Sequence, residues 1–255
     1  MPLTRDCQYM AGIQIQDSEV SLEEPTFVEG FPGVGLVGKI ATDHLIRELE
    51  MEYYASVDCE GLPRVGTYRA GDGRVRPPVR LYASEAHDLI ALQSDVPIGA
   101  PAVGSVANCV SSWIAAREVR PIYLSGLPAE REEPPSLYGV ATGSQLETLE
   151  DHGIATPPED GVISGPTGAL LDRAAQRNDD SLGLIVDSSP QFPDPEAASV
   201  LLEEGIAPIA DVSIDIEELV GRAEEIREKR EQFARQMQQL SQEESSQAQP
   251  LRMYQ

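Results

Sequence analysis

The chain has 255 residues, 41% of them hydrophobic, with 43 Asp and Glu against 19 Lys and Arg and a formal net charge of −24. This length and apolar fraction suffice for one large α/β domain, or two small ones, with a real core. The charge disfavours a nucleic-acid partner, because no basic patch is present to neutralise phosphates. Lys39 and Lys229 are the only lysines. Heavy acid with little lysine is typical of proteins adapted to molar salt, where the Debye length shrinks to about 3 Å.

The cysteines and the hydropathy pattern indicate the cellular compartment of the protein. Cys7, Cys59 and Cys109 lie far apart, are odd in number and lack CxxC spacing. We therefore expect buried free thiols in a reducing cytosol, with neither disulfides nor zinc ligands. The chain shows no signal-peptide pattern and no apolar run of transmembrane length, so we expect a cytoplasmic protein.

The clearest structural pattern in the sequence is a glycine-rich turn between a predicted strand and a predicted helix. An apolar run over residues 26–31 predicts a strand, and a helical pattern follows with Ile40, Ala41, Leu45, Ile46 and Leu49 on one face. The turn between them carries Pro32, Gly33, Gly35 and Gly38. We interpret these glycines as allowing the helix start to pack closely on the sheet, with a small ligand or a partner as a possible occupant of the turn.

Two phosphate-binding motifs almost match this turn. The spacing Gly33-x-Gly35-x-x-Gly38 spells a dinucleotide fingerprint, and Asp58 lies where a ribose-binding acid would follow. That fold requires repeated strand–helix–strand units, whereas several strand-like runs follow the first helix here. Residues 33–39 also spell GxxxxGK, but Ile40 stands where a P-loop needs Ser or Thr for Mg²⁺. Both readings are therefore disfavoured.

The remaining elements indicate a mixed sheet flanked by helices in one α/β domain over residues 1–213. We predict strands over residues 11–16, 52–57, 87–93, 121–127, 137–142, 161–164 and 182–187, and helices over 102–117, 143–151, 169–177 and 194–204. Residues 64–69 and 78–84 should form a hairpin around Gly71-Asp72-Gly73. A turn is expected over residues 165–168, and Asp194 should cap a helix that begins at Pro195.

A heptad pattern replaces this organisation over residues 214–240. The spacing alternates between three and four along a seam of Ile216, Leu219, Ala223, Ile226, Arg230, Phe233, Met237 and Leu240, which only Arg230 interrupts. The pattern predicts a long amphipathic helix. Three arrangements stay open: the helix packs on its own domain, pairs with other subunits or projects from the body.

The last segment, residues 241–255, is predicted to be a flexible tail, because residues 241–250 are rich in Gln and Ser and poor in apolar side chains. It ends in Met253, Tyr254 and Gln255, a hydrophobic residue, a tyrosine and a final residue. Tyrosine supplies apolar area with a hydroxyl, and a terminal carboxylate can be captured in a pocket. A chain terminus of this kind is suited to docking.

Three segments carry a family resemblance: the glycine signature at residues 31–45, GPTGALL at 165–171 and PDPEAASVLL at 193–202. Together they resemble the proteasome assembly chaperone 2 family in its archaeal branch. The acidic composition indicates a haloarchaeal member. The resemblance implies a nucleoside-phosphorylase-like α/β fold without demonstrated catalysis. It also implies a homo-oligomer whose tails, here Met253, Tyr254 and Gln255, dock on the α-subunit ring of the proteasome core particle. Arg252 departs from that pattern.

Two functions follow as hypotheses. The first is a non-enzymatic, ATP-independent proteasome chaperone, adaptor or activator that needs no cofactor. The alternative is a nucleotide- or nucleoside-binding enzyme that uses the turn from Gly33 to Gly38. We find no catalytic or metal constellation: His44, His87 and His152 lack metal-ligand spacing, and no GxSxG elbow occurs. We expect His44 on a helix surface.

Overall fold

The computed structural model describes residues 9–10, 12–16, 20–117, 119–129, 134–191 and 193–221. Eleven strands lie in these ranges: β1 (Tyr9–Met10), β2 (Ile13–Ile15), β3 (Thr26–Gly30), β4 (Glu52–Val57), β5 (Thr67–Tyr68), β6 (Val75–Arg76), β7 (Val79–Ser84), β8 (Leu89–Ser94), β9 (Arg120–Pro128), β10 (Leu137–Thr142) and β11 (Ser181–Ser188). β5 and β6 form a separate two-stranded ribbon.

The other nine described strands form one sheet in the order β1-β2-β4-β7-β8-β3-β9-β11-β10. β8, β3, β9 and β11 run parallel, whereas the remaining pairs are antiparallel. Every residue of β3, β7 and β8 is buried, as expected for central strands covered on both faces. The predicted mixed sheet is confirmed.

Helices cover both faces of the sheet, as predicted. They are α1 (Val37–Glu48), α2 (Ala100–Ala115), α3 (Leu146–Asp151), α4 (Gly165–Arg177), α5 (Pro195–Val200), a π-helical turn (Leu201–Ile206) and α6 (Ala207–Ala210). One core lies between the sheet and α2 with α4, and includes the fully buried Trp113 beside Phe27. The second core lies between the opposite face and α1 with α5.

The predicted cap of α5 is confirmed. The Asp194 carboxylate accepts a hydrogen bond of 3.1 Å from the backbone N–H of Ala197, and Pro195 occupies the first helical position. The carboxylate also accepts a bond of 2.8 Å from the N–H of Ser189. The side chain of Asp194 therefore stabilises both the loop after β11 and the start of α5.

Two local predictions were wrong. The turn at Gly71-Asp72-Gly73 exists, but it joins β5 to β6, whereas β7 pairs with β4 and β8. Residues 161–164 form no strand, and residues 165–168 are the first turn of α4. Both errors concern strand pairing, which the local sequence does not determine. A short apolar run becomes a strand only where a neighbouring strand is available to pair with it.

The cysteine prediction was also wrong for two of the three residues. Cys59, in the loop after β4, is bonded to Cys109 on α2, with 5.9 Å between their Cα atoms. The two lie 50 positions apart, and the fold brings them within the distance that a disulfide requires. Cys7 lies outside the described residues.

His44 is buried, not exposed on a helix surface, with only 1% of the residue accessible. Its Nε2 lies 2.6 Å from the carbonyl oxygen of Asp215. The chain after α6 returns to cover this side of α1, and the sequence of α1 alone does not predict that contact. Two seam residues, Ile216 and the buried Leu219, pack there against the second core. The other seam positions, from Ala223 to Leu240, lie outside the described residues.

Candidate functional site: a cleft at the switch point of the sheet

A cleft opens between β3 and β9, two neighbouring parallel strands from which the chain continues toward opposite edges of the sheet, to β4 and to β10. β3 leads into α1 on one face, whereas the path from β9 reaches α4 on the other. Crevices at such points, at the carboxyl ends of parallel strands, are the usual ligand sites of open α/β sheets. This one, the switch cleft, has a volume of about 860 Å³, which is in the range of small-molecule pockets.

The glycine turn forms one wall of the switch cleft. Of the four predicted residues, Pro32, Gly33 and Gly38 line it. Gly35 instead lies beneath, with φ at +60°, where a Cβ would overlap the Ser188 hydroxyl. Its carbonyl accepts a hydrogen bond of 2.8 Å from the N–H of Asp194. A Cβ on Gly38 would lie 3.4 Å from the Leu124 Cβ. The interpretation of close packing therefore holds for Gly35 and Gly38, while Gly33 has open space around it.

The floor of the switch cleft is the part of the sheet face that α4 leaves uncovered. Strand register places Ser125 of β9, Ile185 of β11 and Tyr138 of β10 in one row across three strands. Because side chains two residues apart share a face, Leu127 and Asp187, which are also in register, form the next row outward. All five residues line the cleft.

Glu29 lies in the row behind this floor and was not singled out from the sequence. It is fully buried in β3 and in register with Tyr123. Its carboxylate accepts hydrogen bonds from the N–H of Phe31 at 2.6 Å, the N–H of Leu124 at 3.3 Å and the hydroxyl of Thr167 at 3.0 Å. Burial raises its pKa to about 7, although these three bonds act in the opposite direction.

The charges around the switch cleft are negative. Its described lining includes Asp187, Glu159 and Asp160 but no Lys, Arg or His. Lys39, on the first turn of α1, is held elsewhere by Asp43 at 2.9 Å and Asp95 at 3.3 Å. Within the described chain, the carboxylate of Asp187 and the hydroxyls of Ser125 and Tyr138 have no hydrogen-bond partner. These three groups are therefore available to a ligand.

The strand order also contradicts the interpretation of the glycine turn as a dinucleotide-binding motif. Asp58 follows β4, which is separated from β3 by β7 and β8. Its carboxylate accepts a hydrogen bond of 2.8 Å from Arg64. It therefore cannot serve as the ribose-binding acid of a turn after β3, which needs the neighbouring parallel strand. Across the described residues, no group of three or more His, Cys, Asp or Glu is placed to hold a metal ion.

A signal for Glu29 was present in the sequence, since it is an acid inside the apolar run of residues 26–31. Buried acids are rare and carry a structural or functional reason. Ser125, Tyr138 and Asp187 had no such signal, because only the register unites them. The predicted docking residues Met253, Tyr254 and Gln255 lie outside the described residues.

These features define an α/β protein with a doubly covered mixed sheet and a switch-point cleft. The chain belongs to the PAC2 family, which it matches over residues 27–234. An uncharacterized relative, MJ0106 of Methanocaldococcus jannaschii, is 29% identical over 224 residues, which cover 87% of this chain and 90% of the relative. The family resemblance seen in the sequence is thereby confirmed.

Solved structures share the fold over nearly the whole chain. PbaA of Pyrococcus furiosus, an archaeal homolog of proteasome-assembly chaperone, has a TM-score of 0.76 at 26% identity, covering 92% of this chain and 97% of its own. PbaB of the same organism, an archaeal proteasome activator, has a TM-score of 0.75 at 23% identity, covering 87% and 98%. The likeness to PbaB shows the fold alone. No helix among the described residues is long and apolar enough to cross a membrane.

Proposed function

We propose that this protein is a non-enzymatic partner of the proteasome core particle, acting without ATP as a chaperone, adaptor or activator. The observation that carries the proposal is membership of the PAC2 family together with a likeness to PbaA that spans both chains. PbaA is described as a homolog of proteasome-assembly chaperone. The role comes to this chain through that relationship.

The contact we propose is the carboxyl terminus. Met253, Tyr254 and Gln255 would enter pockets between α-subunits of the core-particle ring. The terminal carboxylate would pair with a basic group there, while the tyrosine ring adds apolar area and its hydroxyl a hydrogen bond. A tripeptide alone supplies little affinity. We therefore propose a homo-oligomer, in which several tails on one body raise the effective concentration of each.

The long helix is part of the same proposal. Leu219 is buried against the second core, so the seam starts on the domain itself. We propose that its later positions, Ala223, Ile226, Phe233, Met237 and Leu240, continue as the helix over residues 214–240 that carries the tail. The domain over residues 1–213 would then be the body that oligomerises, and residues 241–255 the docking segment.

A binding assay with the core particle tests the proposal. Full-length protein should co-sediment with the core particle, and deletion of Met253–Gln255 should abolish co-sedimentation while circular dichroism stays unchanged. Tyr254→Phe, which keeps the ring, should lose less binding than Tyr254→Ala. Gln249→Ala, in the same tail but before the terminus, is the matched control and should bind as the wild type. Equal binding by the deleted and full-length proteins would refute tail docking.

Hydrolysis of a short fluorogenic peptide in the same mixtures separates the remaining roles. Faster hydrolysis that depends on Met253–Gln255 identifies an activator that opens the gate. Tail-dependent binding with an unchanged rate identifies an adaptor or an assembly chaperone. Absence of binding by both forms would refute the proteasome role itself.

A further inference from the structure

The switch cleft combines apolar walls with a negative rim in a way that selects a ligand by charge. Phe31, Val37 and Ile163 supply apolar surface on its sides, and Ile185 lies in its floor. The outer row of that floor carries the carboxylate of Asp187, which has no partner among the described residues, and the row behind it carries the hydroxyls of Ser125 and Tyr138. A ligand that fills the cleft must therefore place an apolar body inward and a hydrogen-bond donor toward Asp187.

The floor also becomes negative from behind when Glu29 loses its proton, near pH 7. Glu29 sits one row further in, on the same sheet face, and its three hydrogen-bond donors belong to residues that line the cleft: Phe31, Leu124 and Thr167. No cation is among the groups that act on Glu29. A buried carboxylate that has no cationic partner acts strongly on its surroundings, because the local dielectric is low. Once ionised, Glu29 therefore adds its field to that of Asp187.

We propose that the switch cleft binds an organic cation carried on an apolar body, such as an amidine or an amine, with Asp187 as its counter-ion. The carboxylates of Asp187, Glu159 and Asp160 oppose phosphates and carboxylates, and no Lys, Arg or His is among the described residues that line the cleft. Asp187 faces the ligand directly, whereas Glu29 acts through the field. This site does not depend on the proposed docking of the tail.

Benzamidine is a suitable probe, because benzamide and benzoate have nearly the same shape with neutral and negative heads. Ligand-observed NMR on the full chain should rank benzamidine above benzamide and benzamide above benzoate, and AMP should show no binding. Asp187→Asn should weaken benzamidine about tenfold, the value of one charge-assisted hydrogen bond, and leave benzamide within twofold. Asp151→Asn, an exposed position on α3 outside the cleft, is the matched control and should bind as the wild type.

The pH dependence gives a second, independent readout. Glu29 loses its proton and becomes negative near pH 7. The affinity for the cation benzamidine should therefore rise between pH 6 and pH 8, whereas the affinity for the neutral benzamide should stay constant. Tyr123 on β9 also faces Glu29. Its pKa lies above the range of pH 6 to pH 8, because burial and, to a smaller extent, the charge of Glu29 raise it. Thr167 on α4 does not titrate. Glu29→Gln should flatten the rise, with circular dichroism as the check of folding.

Several results would overturn the proposal. Benzoate or AMP binding as well as benzamidine would show that charge does not select the ligand. Equal effects of Asp187→Asn and Asp151→Asn would place the cation outside the cleft. A lack of binding by benzamidine at millimolar concentration, where a fragment of its size should register in a pocket of this volume, would also refute the site.

Discussion

The hydroxyl of Thr167 donates a hydrogen bond of 3.0 Å to the buried carboxylate of Glu29, 138 positions earlier in the chain. The same hydroxyl lies 3.4 Å from the carbonyl oxygen of Leu124. When Glu29 is protonated, its own O–H can donate to Thr167, which then donates to Leu124. One threonine at the start of α4 thus satisfies Glu29 in both protonation states and joins α4 to β3 and β9.

Thr167→Val should destabilise the protein by about 1–3 kcal/mol at pH 8, because a buried charged acceptor loses a donor. Thr167→Ser keeps the hydroxyl and should cost less than half as much. Urea denaturation followed by circular dichroism measures both. If the two variants are equally unstable, the methyl group and not the hydroxyl is responsible.

Glu29→Gln should change how stability depends on pH. Burial raises the pKa of Glu29 from its ordinary value of 4.5 to about 7, so between these values the folded protein holds a proton that the unfolded chain has released. The contribution of Glu29 to stability is therefore present below pH 4.5 and is lost as the pH rises through 7, by about 3 kcal/mol. Glu29→Gln should remove this decrease in the free energy of unfolding with rising pH. The amide itself changes the free energy of unfolding by the same amount at every pH.

Denaturation curves at pH 5, 6, 7 and 8 measure this difference. Glu60→Gln makes the same chemical change at an exposed position and should leave the wild-type profile intact. Parallel profiles for wild type and Glu29→Gln would contradict the assignment.

Two neighbouring glycines should respond differently to alanine. Gly35→Ala places a Cβ against the Ser188 hydroxyl at a positive φ, and we expect a loss of about 1–3 kcal/mol. Gly33 has φ at −136° and open space around it, so Gly33→Ala should change stability by less than about 0.5 kcal/mol. Thermal melts of the pair, recorded side by side, check the contrast; an equal loss at both positions would mean that the close contact at Ser188 is not limiting.

Removal of the Cys59–Cys109 bond should lower stability. It closes a loop of 50 positions, for which the chain-entropy account gives about 4 kcal/mol as an upper figure. Reductant should lower the melting temperature of the wild type and leave that of Cys59→Ser/Cys109→Ser unaffected. Cys7→Ser, as control, should keep the response to reductant. A wild type that melts at one temperature with and without reductant would show that the bond is not formed.

Elements with a strong local signal could be predicted from the sequence. The glycine turn followed by α1, the Asp194–Pro195 start of α5 and the apolar strand β11 each depend on neighbours in sequence, through periodicity, caps and turn residues. The hairpin partner of β5 could not be found this way. β6 is only two residues long, whereas β7 is the stronger strand pattern, and only the tertiary structure shows that β5 pairs with β6 and β7 with β4 and β8. His44 had the pattern of an exposed residue until the chain after α6 covered it.

Sequence alone therefore determined the α/β class, the acidic surface, the family signature and the terminal triplet that we propose as a docking segment. Tertiary structure alone decided the switch cleft, because register placed Ser125, Tyr138 and Asp187 on one face although they come from three strands. It also decided that α4 begins over Glu29 and leaves those residues uncovered. Strand order and register depend on contacts between distant segments, whereas periodicity and turn chemistry report only on the residues nearby.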